Sequence, residues 1–265
     1  MSLKIVVLAK QVPDTRNVGK DAMTAEGTVN RAALPAIFNP EDLNALEQAL
    51  RLKEQNPGST VGILTMGPPR AGEIIRQGLY RGADTGWLLT DRLFAGADTL
   101  ATSYALATGI QKIGDVDIVI GGRQAIDGDT AQVGPQIAEH LGLPVISYAQ
   151  EIKVDGDSVI VKRQYDDGYH MVKAQMPCLI TALSELNDPR YMTPGGIFDA
   201  VNAEITTLGR ADLVDVDDSN IGLNGSPTKI ARASDKVKKG QGEMAPEDAD
   251  PVSYIVGKLK DKHVI

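Results

Sequence analysis

The stretch from Gly121 to Pro135, GGRQAIDGDTAQVGP, has the residue types and spacing best suited to holding an anion. Gly121, Gly122 and Gly128 lack the Cβ that would keep a backbone away from a ligand. Ahead of this stretch, Asp117-Ile118-Val119-Ile120 reads as a buried strand. Behind it, Val133, Ile137 and Leu141 fall at i, i+4 and i+8 on one helical face. The order is therefore strand, glycine-bearing loop, helix start. Unbonded N–H groups at a helix N-terminus, with the dipole behind them, favour a phosphate. Asp129 or Thr130 is expected to cap that helix. An ordinary capped connection from strand to helix has the same shape, and shape leaves both readings open. The loop is neither G-x-G-x-x-G nor G-x-x-x-x-G-K-[ST], so no standard nucleotide fingerprint decides between them.

Side-chain chemistry is sparse. His140 falls in a helix, His263 in the tail, and His170 follows a tyrosine-containing turn. Neither paired cysteines nor a His-x-x-x-His spacing occurs, so no metal site is expected. The absence of Gly-x-Ser-x-Gly argues against an α/β-hydrolase. Asp127 and Asp129 could pair as carboxylates, but turns and caps account for both. Cys178, between Pro177 and Leu179, reads as a buried thiol, and Trp87 and the seven tyrosines read as packing residues. A cradle with so few catalytic groups fits a protein whose bound cofactor carries the chemistry. Arg123 has two readings: a cation for a nearby anion such as a phosphate, or one half of a surface ion pair.

Alternating elements must position this loop. Strands are expected at Lys4–Ala9, Thr60–Met66, Thr85–Leu89 and Asp117–Ile120. Helices are expected from Asn39-Pro40 to Gln55, from Ala71 to Arg81 (stopped by Gly82) and from Asp98 to Ile113. Strict strand–helix alternation implies an α/β fold with a doubly wound, mostly parallel, Rossmann-like sheet. Ligands in such sheets bind beyond the carboxyl ends of the strands, here Ala9-Lys10, Met66-Gly67, Leu89–Asp91 and Gly121-Gly122. From Val145 the texture changes. Glu151 to Arg163 alternates around Gly156-Asp157 as a β-hairpin, and Met171 to Leu183 adds strand interrupted by Pro177. Ser184 to Gly196 reads as a polar loop. Ser219 to Asp250, with the basic run Lys236–Lys239, is too long and polar for a loop inside a compact domain. It reads as an arm laid on a partner, ending in a short amphipathic helix from Pro251 to Lys262. The expected division is a nucleotide-binding α/β domain over 1–218 and a C-terminal arm over 219–265.

Composition bounds the function. The chain has 265 residues, 42% hydrophobic and 23% charged, enough for a sizeable core. Net charge −8 and 4% aromatics argue against a nucleic-acid partner. No apolar run approaches the ~20 residues of a membrane span, so no membrane insertion is expected. A first strand that begins at once argues against a signal peptide, and one cysteine against a disulfide framework; a cytoplasmic protein is expected.

Four long motifs occur in order: AKQVPDT (9–15), NPEDLNALEQALRLKE (39–54), LTMGPP (64–69) and GRQAIDGDTAQVGPQIAEHLGLP (122–144). With LNDPRY (186–191) and GSPTKI (225–230), they resemble the electron transfer flavoprotein beta subunit over essentially the whole chain. The resemblance implies an adenine-nucleotide-binding α/β domain with an extended arm. It also implies a distinct alpha subunit carrying FAD, and electron passage between flavin dehydrogenases and other carriers. The family's nucleotide site maps onto Ala9, Asn39, Pro40, Glu41, Asp42, Met66, Arg123, Gln124, Ala125, Ile126, Asp127, Gly128, Asp129, Thr130, Ala131, Gln132, Val133 and Gly134. The Ala9 backbone N–H and C=O would meet an adenine edge, and the Ala125–Gln132 backbone would cradle phosphate. Many members hold AMP there, whereas an electron-bifurcating subgroup holds a second FAD. VPDT, Gly-x-Val-x-Arg (27–31) and DRLFAGADTLATS (91–103) resemble that subgroup, which favours FAD, with NADH as a candidate reductant. The family's loop for docking acyl-CoA dehydrogenase-type flavoproteins falls around Asn187 to Ile197, where Pro194 replaces a leucine. Met192 and Ile197 are the candidate substitutes. A nucleotide-binding stress or sensor protein would lack the arm. An adenylating enzyme of similar architecture would need a Ser-Gly-Gly-type loop where Lys10-Gln11-Val12-Pro13 stands.

Overall fold

A computed structural model describes residues 1–14, 35–228 and 242–265. The expected Gly27–Arg31 pattern and Lys236–Lys239 run lie outside them. Five strands are short and apolar: β1 (Lys4–Leu8), β4 (Thr60–Met66), β5 (Thr85–Leu89), β6 (Ile118–Gly122) and β10 (Cys178–Ala182). They pair in parallel, and β11 (Thr206–Leu208) joins β5 at one edge. Strand β7 (Val145–Asp155) pairs in parallel with β10 and antiparallel with β8 (Ser158–Tyr165), which pairs with β9 (Gly168–Gln175). Among the described residues this gives one nine-stranded sheet, ordered β11-β5-β4-β1-β6-β10-β7-β8-β9. The expected hairpin region is thus the continuation of the parallel sheet. A separate two-stranded ribbon pairs β2 (Gln11–Pro13) with β3 (Ala36–Phe38).

Helices cover both faces because successive strand residues point to opposite sides. Ile5, Val7, Ile63, Ile118 and Ile120 pack under α1 (Pro40–Gln55) and α2 (Gly72–Leu79). Val6, Leu64, Val119 and Leu179 pack under α3 (Thr99–Ile113) and α4 (Val133–Leu141). Helix α2 is shorter than expected because Pro69–Ala71 winds as a 3-10 turn and Tyr80 already ends the helix. A short helix, α5 (Pro194–Ala200), begins inside the expected polar loop and is capped by the Thr193 side chain. Helix α6 (Pro251–Asp261) closes the chain with no buried residue. No helix is long and apolar enough to cross a membrane among the described residues.

The strand order reverses between β1 and β6. Beyond β1 the chain builds outward through β4 and β5, and beyond β6 through β10 and β7. Such a switch point leaves a crevice at the strands' carboxyl ends. Close packing of the sheet depends on glycine at one position in β4. A Cβ on Gly62 would overlap the Trp87 ring and lie 2.8 Å from Thr85 Oγ1, both on the neighbouring strand β5. Gly62→Val is therefore expected to destabilise the domain by about 1–3 kcal/mol. Thermal unfolding checks this, and an unchanged midpoint would show that β5 shifts to make room.

Candidate functional site

A cleft of about 1100 Å³ opens at that crevice. The ends of β1, β4, β5 and β6 form its floor through Ala9, Met66, Thr90 and Gly121. One wall is the loop from Arg123 to Gly134, and the other is the segment from Asp91 to Thr99.

The N-terminus of α1 holds the first wall. Asn39 is wholly buried; its side-chain amide donates to the Gln124 carbonyl at 2.9 Å and its oxygen accepts from Ile126 N–H at 3.1 Å. Glu41 accepts from Gln124 N–H at 3.0 Å and pairs with Arg123 at 2.9 Å. Asp42 accepts from Lys10 N–H at 2.8 Å and from Gly122 N–H at 2.9 Å, joining the ends of β1 and β6. Burial pushes the Asp42 carboxyl up to about 7, against the lowering effect of those bonds. Burial also raises Glu41, opposed by the Gln124 N–H and Arg123. Pro40, as the first helical residue, costs the helix no hydrogen bond.

The loop braces itself. Gly128 and Asp129 N–H donate to the Ala125 carbonyl, Gln124 donates to Asp129, and Lys10 pairs with Asp127 at 2.6 Å. Asp129 and Ala131 have φ of 49° and 52°, which turns the chain sharply before α4. Beyond that turn, the N–H groups from Thr130 to Gly134 make no hydrogen bond with other described residues. These donors open on the cleft, and α4 starts behind them.

Several expectations need correcting. The N-cap of α4 is Gln132, which makes no side-chain cap, so neither Asp129 nor Thr130 has that role. The Gln132 oxygen instead accepts from Thr99 across the cleft at 2.9 Å. Ala9 N–H donates to the Leu64 carbonyl at 3.1 Å and is therefore already engaged within the sheet. Gly121 and Gly122 serve packing. A Cβ on Gly121 would lie 3.2 Å from Leu8 Cβ, and one on Gly122 would lie 2.5 Å from Asp42 Oδ1. Gly128 has nothing within 4 Å of its built Cβ. The cleft loop also needs Gly134, whose Cβ would lie 2.7 Å from Thr181 Cγ2. Of the two readings of Arg123, the structure shows the ion pair with Glu41, with the guanidinium 5.8 Å from the Tyr148 ring centre. Away from the cleft, His140 packs edge-on against Tyr104 and His170 stacks on Tyr165. Burial pushes the wholly buried Cys178 thiol up to about 11, so it stays protonated and unreactive.

The sequence placed Asp91 at the ligand edge and read 91–103 as a mark of the FAD-holding subgroup, but did not count Arg92 to Thr99 among the site residues; the structure makes them the second wall of the cleft. Its signal was the capping aspartates: Asp91 accepts from Leu93 N–H, and Asp98 accepts from Leu100 and Ala101 N–H.

The raised Asp42 carboxyl has a consequence for stability. A folded pKa above the unfolded value stabilises at low pH, and that contribution is lost as pH rises toward about 7. The stability of the natural chain relative to Asp42→Asn is expected to fall between pH 4 and pH 7. Denaturant unfolding at both pH values checks this. At pH 7 the variant also places an amide N–H₂ against a backbone N–H, at a cost of about 1–3 kcal/mol.

A model of the electron transfer flavoprotein domain matches residues 26–218. The chain is 50% identical to the caffeyl-CoA reductase-Etf complex subunit CarD of Acetobacterium woodii, over 99% of this chain and 100% of that protein. It is 50% identical to the electron transfer flavoprotein subunit beta of Clostridium acetobutylicum, with the same coverage. It is 46% identical to the acryloyl-CoA reductase electron transfer subunit gamma of Anaerotignum propionicum, again across 99% of this chain and 100% of the other. Matches of this length and identity, on an α/β sheet with its crevice at the switch point, establish that the chain belongs to the electron transfer flavoprotein family, among its beta subunits.

Proposed function

We propose that the cleft binds the adenosine diphosphate part of an FAD, and that the chain works in a heterodimer with an alpha subunit carrying a second FAD. The observation that carries this reading is the row of unbonded N–H groups from Thr130 to Gly134 at the start of α4. Such donors suit a pyrophosphate. The cleft volume, about 1100 Å³, lies just above the ~300–1,000 Å³ of most small-molecule sites, which favours a dinucleotide over AMP. Bound flavin would supply one- and two-electron transfer; the protein's residues bind it, orient it and exclude water. Ala9 and Met66 would face the adenine end. The Asn39, Glu41 and Asp42 bonds keep the phosphate loop in place. NADH is the candidate reductant at the open end of the cleft.

Two surfaces suit protein partners. On α6, Val252 and Ile255 are 69% and 57% exposed, and Glu243 bonds Tyr254 and Lys258 on the polar side. This apolar stripe is the proposed docking face for the alpha subunit. Around α5, Tyr191 and Phe198 are 89% and 80% exposed, more than Met192 or Ile197. They would anchor an acyl-CoA dehydrogenase-type flavoprotein where the family's leucine is Pro194. The relatives named for caffeyl-CoA and acryloyl-CoA reductase support that class of partner.

The purified heterodimer is expected to contain two FADs and to be reduced by NADH. Extracted flavin and AMP are counted by chromatography and absorbance. One FAD with one AMP would replace this reading with a structural nucleotide. A separate test concerns α6. Ile255→Glu is expected to abolish co-purification with the alpha subunit while the α/β domain stays folded by circular dichroism. Undiminished co-purification would rule out this face.

A further inference from the structure

The wall formed by residues 91–98 has little structure of its own, only one 3-10 turn from Arg92 to Phe94. It is held from outside by the chain after β11. Ile221 is 3% exposed and packs in the same apolar cluster as Phe94, Leu208 and Leu213. Gly222, at φ 57°, lies so close that a Cβ there would overlap the Leu93 carbonyl oxygen. Gly96, at φ 76°, faces Leu223, where a Cβ would lie 3.3 Å from Leu223 Cβ. Ser226 is 2% exposed; its hydroxyl donates to the Gly222 carbonyl at 2.7 Å and accepts from Asp98 N–H at 2.8 Å. Thr228 N–H donates to the second Asp98 oxygen at 3.0 Å. Burial alone would raise the Asp98 carboxyl, but the N–H groups of Thr228 and Ala101 outweigh it and hold it below its usual value. The far end of the wall is tied too, since Asp91 accepts from Arg210 N–H at 3.0 Å.

We propose that Ile221 to Thr228 belong to the nucleotide cleft, and that Ser226 is a positioning residue that sets the wall opposite the phosphate loop. This rests on the nucleotide reading above. The opposite wall is fixed by α1 through three side chains, so cleft width depends on this second clasp. Thr99 meets Gln132 across the gap at 2.9 Å, one residue beyond the Asp98 cap, so a displaced Asp98 moves a group that touches both walls. Without the Ser226 acceptor, Asp98 N–H is left unpaired in a shielded place, and the wall gains freedom that nucleotide binding must then remove.

The test is calorimetric titration of the full chain with AMP and with FAD. Ser226→Ala removes the hydroxyl that joins Asp98 N–H to the Gly222 carbonyl, and Thr228→Pro removes the N–H that bonds the Asp98 carboxylate. Thr228 lies on the surface, so its variant folds even if Ser226→Ala does not. Both are expected to weaken AMP by about ten-fold. Val214→Ala, a change at a 65% exposed position outside the segment that keeps every hydrogen bond, is expected to leave affinity unchanged. Amide exchange at Asp98 reports the clasp independently and is expected to accelerate in both weakened variants. Natural affinity with an opened clasp would overturn the proposal. Natural affinity with Asp98 still protected would also overturn it, because other contacts would then hold the wall. If the natural chain binds neither AMP nor FAD, the nucleotide reading fails instead.

Discussion

The Asp42 carboxylate joins the two central strands where the sheet's winding reverses. One oxygen accepts from Lys10 N–H after β1 and the other from Gly122 N–H in β6. A parallel sheet splays at its carboxyl end, because backbone bonds between strands run out there while the chains diverge toward different helices. The carboxylate closes that gap with two charge-assisted bonds. Gly122 permits the approach, since a Cβ there would also lie 2.8 Å from Asp42 N. The bridge costs desolvation of a wholly buried acid. The two N–H groups, with Asn39 beside them, offset part of that cost but not all of it, and the carboxyl stays raised at about 7.

Helix α1 extends this rigidity to the loop that follows β10. Two residues after the bridge, its sequence turns to a second task. Asn44 donates to the Asn187 carbonyl at 2.6 Å, and Asn187 donates back to the Asn44 carbonyl at 3.0 Å. Glu47 is 5% exposed and accepts from both N–H and guanidinium of Arg190. Burial opposes a charge on Glu47, but bonds from Arg190 and Arg51 outweigh it and hold the carboxyl below its usual value. The loop ahead of α5 is thus fixed to the same helix that fixes the cleft wall. A partner docked at Tyr191 and Phe198 would sit at a set distance from whatever the cleft holds. Distance and orientation govern electron transfer, so one stiff helix spanning both surfaces is a mechanical requirement of the proposed role.

Much of this could be read from the sequence where one local rule dominated. Thr60–Met66 and Thr85–Leu89 are apolar runs ended by turn residues, and both strands have those bounds. Pro40 marks a helix start as a proline at the first helical position and Asp98 marks one as a side-chain cap, and α1 and α3 begin there. Long-range partners were not legible. Nothing local tells Gly122 from Gly128, yet one packs against α1 and the other meets open space. Strand β11 is three residues long and exists because β5 offers an edge. Helix α5 hid in a segment rich in glycine and proline, where the Thr193 cap and a proline at the first helical position override poor propensity. The N-cap of α4 was misplaced because Asp129 and Ala131 take positive φ, which carries the chain one more turn before the helix begins.

The acidity of the cleft decides how an anion could bind there. Five aspartates line it (42, 91, 98, 127 and 129) against Lys10, Arg92 and Arg123. A count of charges would predict repulsion of phosphate, in a chain that already carries −8. Each carboxylate, however, already has local partners. Asp42 takes two backbone N–H groups, Asp91 and Asp98 cap their own turns, Asp127 pairs with Lys10, and Asp129 accepts from Gln124. Arg123 is matched by Glu41 in the same way. Side-chain charge in the cleft is therefore largely compensated pair by pair, and what remains uncompensated is the row of backbone donors ahead of α4. Fixed N–H dipoles need no reorganisation and do not titrate, so an anion held by them is bound with little dependence on pH or on the oxidation state of a neighbouring group. A site that must keep its cofactor through cycles of gained and lost negative charge is better served by such donors than by mobile lysines.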